Sequence, residues 1–299
     1  MPNWNEVLVE LNKEADLGAP DRVRRRYLLK LAEFTKRNVI AYYSGWLQKP
    51  DQYSTIMSDN DINGFMTTIH QLDRSKGLDL ILHTPGGNLA SVESIVDYLR
   101  KMFGTNIRAI IPHLAMSAGT MLACSCKEIF MGKHSYLGPI DPQFHGFSAE
   151  GVKEEFKRAI QEIKDDPGSL PIWREIISKY HPTFIGDCEK AIEWSETIVI
   201  RWLETGMFLG DNQSNEKAKK AISVLSSHKG TLSHSRQIPF ADCHKYGLKV
   251  IELEKDDIFQ DLVLTVHHAF MHTFAYTSAT KIIENHDGRA MVIFQQIHK

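Results

Sequence analysis

The stretch LDLILHT, Leu78 to Thr84, constrains this chain more than any other. Its residues are apolar on both sides of a two-residue period, so a strand formed here needs cover on both faces. It ends in Pro85-Gly86-Gly87, and a helix is predicted over Ser91 to Phe103, with Val92, Ile95, Val96, Leu99 and Met102 on one side. IRAIIPH then reads as a second strand, Ala118 to Ser125 as a short helix and EIFMGK as a further strand. Upstream, Val39 to Ser44 reads as a strand and DINGFMTTIHQL as a helix capped by Ser58 or Asp59. Strands alternating with helices in this way imply right-handed crossovers and a mostly parallel sheet.

The second half is different. From Glu150 to about Ser226 the chain reads as nearly all helical, broken at Asp166-Pro167-Gly168 and His181-Pro182. KYGLKVIELE closes a helix at Gly247 and returns one strand. DDIFQDLVLTVHHAFMHTFAYT reads as a long helix with two acids in its first turn, which suits the helix dipole. KIIENHDGRAMVIFQQI reads as a hairpin turning at Asp287-Gly288. The expected organisation is an N-terminal helical extension (1–37), an α/β core (38–148), a helical layer (149–228), and a closing core segment with a long helix and tail (229–299).

Several function classes drop out on composition. A net charge of −2 over 299 residues argues against a general nucleic-acid binder. The basic cluster Arg22, Arg24, Arg25 and Arg26 reads as a solvated helix face beside an apolar stripe of Tyr27, Leu28, Leu31 and Phe34. No apolar run is long enough to span a bilayer. The start MPNWNEVLVELNKEAD has neither the basic residues nor the continuous apolar core of a signal peptide, so a cytoplasmic location is expected. Cys124, Cys126, Cys188 and Cys243 fit no zinc spacing and read as buried free thiols. His268 and His272 share a helix face, but no glutamate stands beside them and no third ligand is evident, so no metal is expected. The Pro85-Gly86-Gly87-Asn88 turn lacks dinucleotide and Walker signatures, and no cofactor is expected.

The chemistry concentrates at two strand ends. In PHLAMSAGTMLA an apolar strand stops at Ser117, where a helix starts with Ala118-Gly119-Thr120. Open α/β sheets place their sites at carboxyl strand ends. The N–H groups at a helix start lack partners and attract negative charge, so Ala118 can stabilise an oxyanion. The glycines after Thr84 permit backbone conformations that other residues resist, and either Gly86 or Gly87 can supply a second donor. Taken alone, Ser117 reads as a helix cap and the glycines as a tight turn. Together they read as a nucleophile beside an oxyanion hole.

LHTPGGNLAS and AMSAGTMLACSCKEIFMGKHSYLGPIDPQ resemble the serine dehydrogenase proteinase family, relatives of signal peptide peptidase A within the Clp/crotonase fold. LSHSRQIPFADCHKYGLKV resembles the same family more faintly. The resemblance implies a crotonase-like spiral of βαβ units and a serine peptidase acting through an acyl-enzyme on peptide or protein substrates. It also implies a homo-oligomer, with Ser117 as nucleophile and Gly86, Gly87 and Ala118 framing the oxyanion hole. A Clp-type histidine is absent at Ile140 or Asp141, whereas signal peptide peptidase relatives use a lysine. Among Lys153, Lys157, Lys164 and Lys179, Lys179 is the expected base for its apolar setting, with Lys157 and His113 as alternatives. His134 competes as well. His83 and Asp141 are expected to line the site, Asp141 mainly holding the turn between two prolines. His234 matches a family histidine, with no role assigned. Trp173, Trp194, Trp202 and Phe208 could pack between subunits or fill the helical layer's own core. Two rival functions share the fold: a crotonase-type acyl-thioester enzyme, whose enolate needs the same oxyanion geometry, and a non-catalytic multimeric scaffold.

Overall fold

The computed structural model describes residues 4–14, 16, 18–50, 53–144, 146–227 and 233–295. Helices α1 (Trp4–Glu14) and α2 (Ala19–Thr35) precede strand β1 (Asn38–Ser44). Then come α3 (Asp61–Ile69), β2 (Leu78–His83), α4 (Leu89–Phe103), β3 (Ile107–Ile111), β4 (Leu114–Ala115), α5 (Ala118–Cys124), β5 (Glu128–Met131) and β6 (Tyr136–Leu137). A small hairpin, β7 (Gln143–Phe144) and β8 (Phe147–Ser148), leads into α6 (Ala149–Asp165), α7 (Leu170–Ile177), α8 (Phe184–Thr205) and α9 (Ser214–Leu225). The chain returns through β9 (Ile238–Pro239), α10 (Phe240–Lys245), β10 (Val250–Glu252), α11 (Asp257–Tyr276), β11 (Ala279–Asn285) and β12 (Ala290–Phe294).

Seven strands form the main sheet in the order β10-β5-β3-β2-β1-β11-β12. The first five run parallel, and the C-terminal hairpin β11–β12 adds two antiparallel strands. The sheet is therefore mostly parallel, as the βαβ pattern predicts. Every residue of β1 and β2 is buried, because helices cover both faces. Leu80 and Leu82 face a core built with α3, α4, α5, α8 and α9. Ile81 faces the opposite core, built with α2 and α11. All four cysteines are free and buried.

Three expectations need correction. The arginine cluster is a solvated face only in part: Arg22, Arg25 and Arg26 keep much of their exposure, but Arg24 does not. Arg24 is buried, its Nε donating to Glu284 Oε2 at 2.9 Å, while Arg25 donates to the other Glu284 oxygen and Arg26 pairs with Glu10 and Glu14. These bonds fasten α2 to the C-terminal hairpin and to α1. Neither Ser58 nor Asp59 caps α3. Its N-cap Asn60 has helical dihedrals and makes no side-chain cap bond, its Oδ1 accepting from Asn63 Nδ2 instead. Trp173, Trp202 and Phe208 are buried within this chain, so of the four aromatics only Trp194 is exposed.

Glu284 is buried between two arginines. Glu284→Ala leaves Arg24 buried without that carboxylate, and the expected cost is about 3 kcal/mol. A chemical denaturation midpoint that drops accordingly, with an unchanged slope, is the check.

Candidate active site

The glycine turn and Ser117 are held face to face by backbone. Thr84 N–H donates to Leu114 O at 3.0 Å, and Met116 N–H donates back to Thr84 O at 3.0 Å. This single bridge sets Gly86 against the Ser117 segment. A Cβ on Gly86 would lie 2.7 Å from Ser117 Cβ and 2.7 Å from Met116 O, and its φ is +93°. Only glycine fits both the space and the angle. A Cβ on Gly119 would lie 2.5 Å from Thr84 Cγ2, which explains the small residues after Ser117.

Ser117 stands in a strained conformation, φ 50° and ψ −116°. Such a backbone costs about 1–3 kcal/mol in a non-glycine residue and persists only where its surroundings enforce it. Its hydroxyl makes no cap bond to α5, so capping does not account for a serine here. The N–H of Gly86 is taken by Thr84 Oγ1 at 3.1 Å. Among the described residues, the N–H groups of Gly87 and Ala118 have no acceptor.

A second, three-stranded sheet gathers the remaining groups. Its order is β4-β6-β9, with β6 parallel to β4 and β9 antiparallel to β6. The ends of β4 and β6 and the start of β9 therefore share one edge. Ser117 follows β4, Asp141 follows β6, and His234 precedes β9. His234 Nδ1 lies 2.7 Å from Asp141 Oδ1. Asp141 is buried, and its other oxygen accepts from Gln143 Nε2 at 2.8 Å. A carboxylate only accepts, so Nδ1 carries the proton of this bond, and in the neutral tautomer it selects the lone pair is on Nε2. Asp141 thus orients a histidine as well as occupying the turn between the two prolines.

One cavity of about 460 Å³ joins these parts. Ser117, Ala118, Gly86, Gly87, Asp141 and His234 line it, beside an apolar wall of Ile56, Leu89, Met121, Ile140, Phe144 and Trp194. Ser117 makes no hydrogen bond to His234 in this state. Catalytic hydrogen bonds commonly tighten only when substrate binds.

The structure does not bring Lys179 to this cavity. Lys179 is exposed just beyond α7, and neither it nor Lys157 is among the lining residues. Lys157 and Lys164 lie on exposed positions of α6, and Lys153 pairs with Glu189 at 3.7 Å. Of its apolar neighbours, Ile176 is itself exposed and Tyr180 packs on Phe156 and Phe184, so none of them buries Lys179. His83 and His113 do not line the cavity either. His83 shares the face of β2 that carries Ile81, toward α11, where it packs with Trp46, Tyr43, His113 and His267. His268 and His272 pack on Trp4. Among the described residues no group of three His, Cys, Asp or Glu side chains is placed to hold a metal ion. The signal for His234 in the sequence was its family position alone, because a histidine in a loop carries no periodicity.

A mostly parallel α/β sheet thus brings a serine at a strained strand-to-helix turn, a facing Gly-Gly turn and a His–Asp pair to one cavity. The ClpP-like SDH-type serine proteinase family matches residues 51–270. The chain belongs to that family. It is 30% identical over 173 residues to the uncharacterized protein MJ1495 of Methanocaldococcus jannaschii, covering 58% of this chain and 51% of the relative. It is 28% identical over 190 residues to the uncharacterized protein MJ0137 of the same organism, covering 64% of this chain and 59% of the relative. The chain thus spans only between half and three-fifths of these relatives' lengths. Among the described residues, no helix is long and apolar enough to cross a membrane.

Burial holds the pKa of His83 and of His267 well below the ordinary histidine value, and neighbouring histidines push the same way. Both rings therefore stay neutral in the folded chain while unfolded histidines take up protons below about pH 6.5. The unfolded state then binds more protons, so stability falls as pH drops through that point. Melting temperatures measured from pH 7.5 to 5 should decline, and His83→Phe should flatten the decline.

Proposed function

We propose that this protein is a serine peptidase in which Ser117, His234 and Asp141 act together. The observation that carries this reading is the His234–Asp141 pair lining the same cavity as the strained Ser117. Ser117 Oγ bonds to the substrate carbonyl carbon as its proton passes to His234 Nε2. The imidazolium keeps its Nδ1–H on Asp141. Negative charge develops on the carbonyl oxygen, where the N–H groups of Gly87 and Ala118 receive it. As the tetrahedral species collapses, the carbon–nitrogen bond breaks and His234 gives its proton to the leaving amine. Water, deprotonated by the same histidine, then bonds to the acyl carbon; the Ser117 Oγ–acyl bond breaks, and His234 returns that proton to Oγ.

Among the described residues the cavity wall is largely apolar, with Asp141 as its one carboxylate and no lysine or arginine lining it. Uncharged, apolar side chains beside the cut bond suit such a wall. We further take the working form to be a homo-oligomer. Its support is the apolar surface left on the helical layer, where Ile160, Leu170 and Ile172 are exposed.

Ser117→Ala should abolish labelling by a fluorophosphonate probe with little change in melting temperature. His234→Ala and Asp141→Asn should lower turnover of fluorogenic peptides by about 10²-fold or more, while Lys179→Ala leaves it near normal. Labelling that persists in Ser117→Ala defeats the nucleophile assignment. A dead Lys179→Ala beside an active His234→Ala restores the lysine base. Unmodified protein that resists the probe favours the thioester enzyme or the scaffold. For assembly, light scattering should return a multiple of 34.1 kDa at micromolar concentration, and a monomer refutes it.

A further inference from the structure

Lys281 lies on β11, outside the residues that the family match covers. It is fully buried beside an equally buried Asp61. Its Nζ donates to Asp61 Oδ1 at 2.7 Å and to Ile56 O at 2.6 Å. The second Asp61 oxygen accepts from Tyr42 OH at 2.7 Å and from Ser58 N–H at 3.0 Å. The pair therefore grips one short segment at both ends, the Ile56 carbonyl and the Ser58 amide.

The residue between them is Met57, and its backbone carries the glycine turn. Met57 N–H donates to Gly86 O at 2.8 Å, and Met57 O accepts from Asn88 N–H at 3.1 Å. Gly87 lies flat on this segment: a Cβ there would stand 2.4 Å from both Met57 N and Met57 O. The position of the Gly87 N–H is thus set by Met57, and that of Met57 by Lys281 and Asp61. A buried ion pair can often be replaced by apolar residues without loss of stability, so its presence here calls for a further role.

We propose that Lys281 and Asp61 are positioning residues for the oxyanion hole. They act through the Ile56–Ser58 segment to hold the Gly87 N–H in register with Ser117. This rests on the peptidase reading of the site. It assigns a catalytic consequence to the C-terminal hairpin, which touches neither substrate nor nucleophile.

The test is the kinetics of fluorophosphonate labelling, because the probe's phosphoryl oxygen takes the place of the oxyanion. Lys281→Met, Asp61→Asn and the double variant Lys281→Met with Asp61→Leu are compared with the unmodified chain. The single variants strand one partner and should lose stability. The double variant removes both charges and should recover most of the melting temperature. The expected result is that in all three the maximal labelling rate falls at least about tenfold, with probe affinity changed less than about twofold. If the double variant does not fold, Lys281→Gln, which keeps a donor without the charge, is read the same way. Recovery of the labelling rate together with stability overturns the proposal, and so does a rate that follows stability in every variant. Failure of the unmodified chain to label at Ser117 instead brings down the peptidase reading, and this proposal with it.

Discussion

The two hydrogen bonds between Thr84 and the Leu114–Met116 segment are the constraint on which the site depends. They join the end of β2 to the strand that delivers Ser117. Once joined, the two segments leave no room for a side chain at 86, where glycine is required, and a Cβ at 119 would press on the Thr84 side chain. The same closeness enforces the unusual backbone of Ser117. A strained serine is stable here because the surrounding bonds, rather than its own preference, decide its dihedrals.

Around that bridge the structure works in shells. The main sheet supplies rigidity, covered on both faces by apolar helices. The small β4-β6-β9 sheet supplies convergence, since two parallel strand ends and one antiparallel strand start meet at one edge. The helical layer supplies part of the wall, through Trp194 of α8, which lines the cavity along with Phe144 of β7. The buried charges stand further out and tie distant parts of the chain together. Arg24 with Glu284 links the first helices to the last strands, and Asp79 binds both Arg37 and Arg108 at the opposite end of β2.

Much of this was legible in order along the chain. Apolar strands such as LDLILH, and helices with a one-sided stripe, announce themselves through periodicity, so the parallel sheet and the helical second half could be read directly. Ser117 and the glycines were legible because strand ends and helix starts are local events. The histidine partner was not. His234 and Asp141 are far apart in sequence and sit in loops, where no period marks them. Lys179 looked suitable because Ile176, Ile177, Tyr180 and Phe184 surround it in sequence. Neighbours along a chain do not fix burial, and in the fold its ammonium faces water.

The sequence by itself did not mark the short strands β4 and β6 to β9, but it determined the alternation of the main-sheet strands with helices, the mostly parallel sheet and the serine at a strand-to-helix junction after a Gly-Gly turn. These follow from short-range rules: side-chain period, glycine's freedom and the unpaired amides at a helix start. Only the tertiary structure decided which histidine shares a cavity with Ser117, where the arginines of α2 point, and that Lys281 and Asp61 are buried together. Each of those depends on contacts between segments distant in sequence. Such contacts are selected by packing and by the cost of leaving a buried polar group unpaired, and neither can be computed from a window of neighbours.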